Sequence, residues 1–189
     1  MKKKTPSKYF NSDYAAVVDN GYEIPAIPLD KMDKQFLRQQ VNYSSREKPG
    51  TIIVDVQKRF LYLIEKDGKA MRYGVGVGKA GFEWEGNAYV AWKQEWPKWT
   101  PPAEMIERKP ELEKYSEENG SFPPGLDNPL GARALYLFQN GVDTYFRIHG
   151  TTQPETIGHS ASNGCIRMLN EHVVDLYDRV PIGTVVTVL

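Results

Sequence analysis

The chain has 189 residues, of which 40% are apolar and 25% charged, and its formal net charge is zero. The length suits one domain with a sizeable core, and the composition is ordinary for a globular protein. The balanced charge argues against nucleic acid or an anionic membrane surface as the main partner, because both require a basic face. The single cysteine excludes an internal disulfide, and no window of about 18 uncharged apolar residues predicts a membrane span.

The first 44 residues are predicted to be an arm or linker ahead of the main domain. Residues 1–30 are polar and contain two prolines near their end. In Lys31–Tyr43 the apolar residues recur at near-helical spacing, which predicts a short amphipathic helix with Asp30 as its N-cap. An extended arm lying on the domain is an equally good interpretation.

The N-terminus does not have the pattern of an export signal. Its basic start is not followed by the apolar run that a signal peptide requires. Either the protein is cytoplasmic or an export segment is missing from this sequence, and the residues alone leave both possibilities open.

Residues 45–189 are predicted to form a mostly-β domain. Two-residue turn signals at Asp67-Gly68 and Asn140-Gly141 predict β-hairpins. The final strand is nearly all apolar, so it is expected to be central in a sheet. The predicted strands are Thr51–Val56, Arg59–Glu65, Met71–Val77, Asn87–Trp92, Arg133–Phe138, Thr144–His149 and Thr184–Leu189.

Few helices are predicted in this domain. A short helix is expected at Ala103–Arg108, and an amphipathic one at Glu171–Val180 with Asn170 as its cap. Many short strands, frequent turns and few helices together indicate a sandwich-like or barrel-like fold.

The predicted strand Met71–Val77 carries alternating glycines. Gly74, Gly76 and Gly78 leave one strand face without side chains, so we expect another backbone or a ligand to approach it. A phosphate-binding loop would require a following Lys-Ser/Thr pair, which is lacking. No other motif in the chain predicts a cofactor.

Trp96 and Trp99 lie in a segment that is too rich in proline to be a central strand. The functional interpretation makes this segment the wall of a substrate cleft. The alternative is a loop that packs on the core through its indoles. Residues 109–130 follow as a long irregular insertion, a feature typical of functional or disordered loops.

Cys165 is a candidate nucleophile with His149 as its base. A free thiol has a pKa of about 8.5, so it is mostly protonated at neutral pH and needs a base to attack an acyl carbon. His149 ends a predicted strand, which is a rigid position, and Gly150 leaves room beside it. A backbone carbonyl at Gly150 could accept from the second ring nitrogen and fix the tautomer.

The residues that precede Cys165 are suited to stabilising an oxyanion. Asn163 and Gly164 permit a tight turn, which can aim successive N–H groups, including that of Cys165, at one point. Ser162 can hydrogen-bond within the same turn and joins the candidate catalytic group. Arg167 supplies a positive charge suited to a substrate carboxylate.

Two other interpretations of these residues remain open. A lone cysteine is most often a small buried hydrophobe. A zinc site from His149, His159, Cys165 and His172 is possible in composition, but the spacing of these residues matches none of the paired-ligand patterns.

Residues 133–168 resemble the L,D-transpeptidase catalytic domain, the YkuD/ErfK family. The resemblance extends from about Pro49 to the C-terminus and does not include residues 1–44. Its most specific part is the pair formed by an HGT motif and an SxGCIRM motif. The matching elements are Asn128–Gly131, His149-Gly150-Thr151, Ile157-Gly158, Ser162–Met168 and Val185–Leu189.

The resemblance implies a β-sandwich-like catalytic domain and a cysteine acyltransferase acting on peptidoglycan. In that case Cys165 attacks the carbonyl of residue 3 of a tetrapeptide stem, and His149 protonates the departing D-alanine. An amine then resolves the thioester, from a second stem (a 3→3 cross-link) or from an envelope protein. Carbapenems are expected to acylate Cys165. His159 stands where relatives commonly have Arg or Lys, which makes any contact with a substrate carboxylate pH-dependent.

Two further functions are compatible with the same residues. Water could replace the amine, which would make the protein a carboxypeptidase, endopeptidase or amidase. The domain could also be a peptidoglycan-binding module without activity. Because peptidoglycan lies outside the cytoplasmic membrane, the resemblance implies the periplasm or cell envelope.

Overall fold

The computed structural model describes residues 11–79, 81, 84–161 and 165–189. Within these ranges one large sheet of eleven strands and a separate two-stranded hairpin form the framework. The hairpin consists of β1 (Val17–Asp19) and β2 (Tyr22–Ile24). The strands of the large sheet are β3 (Gln39–Asn42), β4 (Ile52–Asp55), β5 (Phe60–Ile64), β6 (Lys69–Gly74), β7 (Gly76–Gly78), β8 (Gly86–Glu95), β9 (Arg133–Gln139), β10 (Val142–Gly150), β11 (Ser160–Ala161), β12 (Ile166–Met168) and β13 (Val185–Val188).

The spatial order of the large sheet is β11-β7-β12-β10-β9-β8-β13-β4-β5-β6-β3. The α-helices of the described residues are short, and so are the 3-10 turns. They include the helices α1 (Ala103–Arg108) and α2 (Asn170–Arg179) and the 3-10 turns Asn11–Tyr14, Lys34–Phe36, Pro110–Tyr115 and Pro154–Thr156. The predicted mostly-β fold with a few short helices is therefore confirmed.

Local turn chemistry sets two of the hairpins. Asp67 and Gly68, which join β5 to β6, have φ of 59° and 66°, and Asn140 and Gly141, which join β9 to β10, have φ of 51° and 78°. Two consecutive positive φ values define the turn that matches the twist of paired strands, and Asn, Asp and Gly adopt them most easily. Both predicted hairpins are confirmed.

The last strand is central, as its apolar sequence predicts. β13 pairs in parallel with β4 and antiparallel with β8. Val186 and Val188 lie in the main core, which also includes Val173 and Leu176 of α2. The predicted second helix is confirmed, but Asn170 is not its cap. Leu169 occupies that position, and the Asn170 side chain bonds elsewhere.

The predicted helix at Lys31–Tyr43 is wrong. Only the single 3-10 turn Lys34–Phe36 forms there, and Gln39–Asn42 is strand β3, paired antiparallel with β6. Pairing with β6 satisfies the backbone groups of this segment, and Leu37 is fully buried. The alternative of an extended arm on the domain describes this segment correctly.

The bare face of the glycine-rich strands is covered by backbone, as predicted. A Cβ atom on Gly74 would lie 2.5 Å from the carbonyl oxygen of Phe36, and one on Gly76 would lie 2.7 Å from that of Thr156. Any side chain at either position would collide with main chain, which explains why the strands carry glycine.

A buried ion pair attaches the β1–β2 hairpin to the large sheet. Arg133 donates to both carboxylate oxygens of Asp19, at 2.7 and 3.0 Å, and its side chain is only 4% exposed. The Trp96 indole N–H also donates to Asp19, at 2.7 Å, and Tyr22 stacks on Trp96. The hydrogen bond from Arg133 is the main cause that holds the pKa of Asp19 below its usual value.

Replacing Asp19 should therefore destabilise the fold. In Asp19→Ala the buried Arg133 guanidinium loses its two-bond carboxylate partner and keeps only Glu95, at 4.0 Å, as a counter-charge, so we expect the free energy of unfolding to fall by about 3 kcal/mol. Because the pKa of Asp19 is depressed in the folded state, its contribution is present above its unfolded pKa of about 3.9 and is lost as pH falls through the folded value. The difference in free energy of unfolding between Asp19→Ala and wild type should therefore become smaller at acid pH.

Urea denaturation at several pH values measures this effect. Asp30→Ala, an exposed carboxylate on the same arm, is the matched control and should stay within about 0.5 kcal/mol of wild type. Equal stability of Asp19→Ala and Asp30→Ala at neutral pH would contradict the assigned role.

Candidate active site

Parallel pairing of two strands brings the predicted catalytic residues together. In the β10–β12 ladder Ile148 pairs with Ile166, and His149 pairs with Arg167. Cys165 immediately precedes β12, and the same register places it opposite Arg147, two residues along β10 from His149. Diagonal neighbours at this offset on adjacent strands are about 7–8 Å apart, which long side chains can bridge.

The His149 ring is buried and held in one orientation. It is 3% exposed, and its Nδ1 lies 2.6 Å from the carbonyl oxygen of Gly150. Because a carbonyl only accepts, Nδ1 must carry the proton of the neutral ring, and Nε2 is left with a free lone pair. The carbonyl contact predicted from the sequence is therefore present.

Burial lowers the pKa of His149 to about 4. The hydrogen bond to Gly150 opposes this shift in part, whereas the nearby positive charges of Arg167 and Arg147 add to it. The imidazole is thus neutral at physiological pH and able to accept a proton.

Asn170 fixes the backbone that carries this ring. Its Oδ1 accepts from the backbone N–H of Ala132 at 2.9 Å, and its Nδ2 donates to the carbonyl of Thr151 at 3.2 Å. A Cβ on Gly150 would collide with that Oδ1 atom, which explains the glycine after His149. The sequence predicts Asn170 only as a helix cap and gives no indication of this contact.

Cys165 is buried beside β10. The residue is 8% exposed, and its Sγ donates to the carbonyl of Tyr145 at 3.7 Å. Burial raises the pKa of the thiol, while the backbone N–H and the charge of Arg147 act in the opposite direction. Cys165 and His149 are both among the described residues, and no hydrogen bond joins the thiol directly to the imidazole. The resting pair is therefore a neutral thiol and a neutral imidazole.

Arg167 lies on the same strand face as His149 and is half-buried. One of its terminal nitrogens donates to Gln153 Oε1 at 3.1 Å. His159 is exposed, and its backbone carbonyl accepts from Val77 N at 3.2 Å. The predicted turn residues Ser162, Asn163 and Gly164 lie outside the described residues.

The two tryptophans predicted to form a cleft wall differ in environment. Trp96 is 6% exposed and packs with Tyr22, Ile24 and Ala132. Its position favours the alternative of a loop packed on the core. Trp99 is half-buried, and its backbone pairs with Phe122 of the irregular insertion.

The structure does not assemble the four-residue zinc site. His172 is buried in α2, where its Nε2 lies 2.9 Å from the Tyr14 hydroxyl. Burial lowers its pKa to about 3. Across residues 11–79, 81, 84–161 and 165–189, no three His, Cys, Asp or Glu side chains are arranged to hold a metal ion.

The L,D-transpeptidase catalytic domain family, YkuD, matches residues 49–188. The probable L,D-transpeptidase ErfK/SrfK of Escherichia coli (strain K12) is 36% identical over 142 residues, which are 73% of this chain and 43% of the relative. The probable L,D-transpeptidase YbiS of the same strain is 30% identical over 186 residues, covering 95% and 58%. The chain spans about half the length of the curated relatives it matches.

Solved structures share the fold. A Brucella melitensis protein described as a probable carnitine operon oxidoreductase is 54% identical, with 81% of this chain and 93% of that chain covered and a TM-score of 0.59. An Enterococcus faecium L,D-transpeptidase is 18% identical, with 75% and 50% covered and a TM-score of 0.53. Separately, no helix within the described ranges has the length and hydropathy needed to cross a membrane.

The neutral resting pair predicts how Cys165 reacts with alkylating agents. Because burial raises the thiol pKa, the rate of iodoacetamide alkylation should climb with pH through the alkaline range. Intact-mass spectrometry measures this rate at the single cysteine, and Cys165→Ser is the blank. A rate that is already maximal at mildly acid pH would show a preformed thiolate–imidazolium pair instead.

The role of Asn170 gives a second prediction. Asn170→Ala leaves the buried Ala132 N–H without an acceptor, and we expect a loss of about 1–3 kcal/mol of stability. It should also shift the NMR signal of the His149 Nδ1 proton, because Asn170 no longer holds the adjacent Thr151 carbonyl. Asn42→Ala, an exposed strand position, serves as the control. An unchanged Nδ1 signal in a destabilised Asn170→Ala would limit Asn170 to a structural role.

Proposed function

Because the chain belongs to the YkuD family of L,D-transpeptidase catalytic domains, we propose that it transfers peptidoglycan stem peptides through a covalent cysteine intermediate. One observation carries this proposal. Cys165 lies opposite a position two residues from His149, whose Nδ1 is bound to a carbonyl and whose Nε2 can accept a proton.

In the first step the thiol leaves the Tyr145 carbonyl and turns towards His149. Its proton passes to Nε2 as the sulfur attacks the carbonyl carbon of residue 3 of a tetrapeptide stem. Burial disfavours both charged partners, so the thiolate forms during attack rather than before it. The product of this step is a tetrahedral oxyanion.

In the second step the C–N bond to the terminal D-alanine breaks. The imidazolium gives its proton to the departing amine, and a thioester to Cys165 remains. A buried imidazolium with a pKa of about 4 is much more acidic than the protonated amine, which favours this transfer.

In the third step an amine attacks the thioester. His149 accepts the proton of the amine and returns it to the departing sulfur, which restores the neutral pair. A second stem gives a 3→3 cross-link, and a lysine or N-terminus of an envelope protein gives an anchored protein. Water as the acceptor gives hydrolysis, and the catalytic pair alone does not select between these acceptors.

Several neighbouring groups are proposed to stabilise the oxyanion or to bind the substrate. The backbone N–H groups of Asn163, Gly164 and Cys165 bind the oxyanion, and Ser162 supports that turn. The position of Arg167 opposite His149 supports a role in holding a substrate carboxylate. His159 and Trp99 are proposed to extend the substrate surface. The substrate lies outside the cytoplasmic membrane, so the proposed location is the periplasm or cell envelope.

Incubation with disaccharide-tetrapeptides tests the chemistry. Wild type should release D-alanine and gain the mass of one disaccharide-tripeptide acyl group on Cys165. Cys165→Ala should abolish both, and His149→Gln should slow them by about 10²–10⁴-fold because the base is lost. Lys66→Ala, an exposed position in the β5–β6 turn, is the control.

The products then separate the candidate functions. Cross-linked dimers support the transpeptidase, and a trimmed stem without dimers supports the hydrolase. If wild type neither releases D-alanine nor forms a mass adduct with imipenem, the proposed chemistry is wrong and a binding module remains.

A further inference from the structure

One face of the sheet beside the catalytic pair carries a ladder of stacked rings. Trp92 stacks on Tyr136 with ring centroids 4.4 Å apart and planes 24° apart. The Arg147 guanidinium lies 4.6 Å from the Tyr136 ring centroid and 5.9 Å from that of Tyr145. We call these four side chains the aromatic ladder.

Strand register places the ladder on a single face. Trp92 of β8 pairs with Tyr136 of β9, which pairs with Arg147 of β10. Val90, Leu137 and Ile148 point to the opposite face and are fully buried in the main core. Neighbouring strands lie about 4.8 Å apart, so the ladder spans about 10 Å, the length of two linked sugar rings.

The two ends of the ladder are open to solvent. Trp92 is 50% exposed and Tyr145 is 80% exposed. Arg147 is neutralised by Asp143, to which it donates two hydrogen bonds at 2.6 and 2.8 Å. The ladder therefore offers ring faces with little net charge, which does not suit an anionic partner such as nucleic acid.

A β-bulge puts Tyr145 in this position. The β9–β10 register shifts between Asp143 and Phe146, and Tyr145 has a φ of 59°. A non-glycine residue in this region is strained, and such strain occurs preferentially at functional sites. The bulge is held by two short-range hydrogen bonds, from Tyr145 N to Asp143 Oδ1 and from Phe146 N to Thr144 Oγ1.

The ladder is continuous with the catalytic pair. The Tyr145 carbonyl accepts from the Cys165 thiol at 3.7 Å, and the backbone N–H of Arg147 also interacts with that thiol. Tyr145, at the end of the aromatic ladder, therefore also contacts the sulfur of Cys165 through its backbone. Bulges next to active sites commonly redirect a side chain in this way.

We propose that the aromatic ladder binds the glycan strand to which the stem peptide is attached. Pyranose rings present flat faces of C–H groups that pack on aromatic rings, and Tyr136 and Gln94 provide hydroxyl and amide groups at the rim for sugar hydroxyls. The continuity with Cys165 favours a glycan over a protein partner, because the glycan is covalently joined to the stem that must reach the thiol. The inference rests on the proposed function for the identity of the substrate.

A binding measurement without catalysis tests the ladder. Soluble glycan oligomers of alternating N-acetylglucosamine and N-acetylmuramic acid, with their stems removed, are titrated into the full chain by calorimetry and NMR. Trp92→Ala should weaken binding about tenfold, equivalent to about 1.4 kcal/mol. Trp92→Phe should restore most of the affinity, and Lys66→Ala, at an exposed position in the β5–β6 turn, should bind like wild type.

A second readout compares two substrates for each variant. For Trp92→Ala, the ratio of kcat/KM on glycan-linked stems to kcat/KM on sugar-free tetrapeptides should fall about tenfold. An unchanged ratio, or no binding of glycan by wild type, would overturn the inference. If wild type binds the glycan but releases no D-alanine, glycan binding by the aromatic ladder is supported and the proposed function is wrong. Circular dichroism confirms that each variant is folded.

Discussion

The parallel pairing of β10 with β12 is the constraint on which the proposed chemistry depends. The two strands are linked through a segment that contains the 3-10 turn Pro154–Thr156 and the edge strand β11. The chain therefore leaves β10 after His149 and returns on the adjacent strand with Cys165 immediately ahead of it. A slip of one residue in this ladder would reverse the face to which each side chain points and would separate thiol from imidazole. The glycine after His149 and the clamp formed by Asn170 are both explained by the need to hold that register.

Burial gives this pair a neutral resting state. A low-dielectric environment penalises the imidazolium and the thiolate alike, which lowers the pKa of His149 to about 4 and raises that of Cys165. The positive charge of Arg147 favours the thiolate and disfavours the imidazolium, so it does not stabilise the charged pair as a whole. Under the proposed mechanism, the thiolate therefore forms only as the substrate is attacked.

Local signals predicted much of the fold, and long-range contacts account for the errors. Asp67-Gly68 and Asn140-Gly141 need only their own dihedral preferences to form turns, and both hairpins were predicted correctly. The segment Lys31–Tyr43 has helical spacing, but β6 offers it strand pairing from a position that the sequence does not reveal. Asn170 has the residue type of a cap, yet its partner is the backbone of Ala132, 38 positions away. The His149–Gly150 contact was predictable because both partners are adjacent in the chain, whereas nothing local indicated the bulge at Tyr145.

The arm that precedes the family match also contacts part of the segment between His149 and Cys165. The Phe36 backbone approaches Gly74, and its ring occupies the space that a Cβ on Gly158 would need. Gly158 has a φ of 84° and its N–H donates to the Val75 carbonyl at 3.0 Å, while the carbonyl of Thr156 packs on Gly76. Residues 156–158 are thus held between the glycine face of β6 and β7 and the ring of Phe36. Since Phe36 lies outside residues 49–188, the position of this segment depends on contacts that the family match does not include.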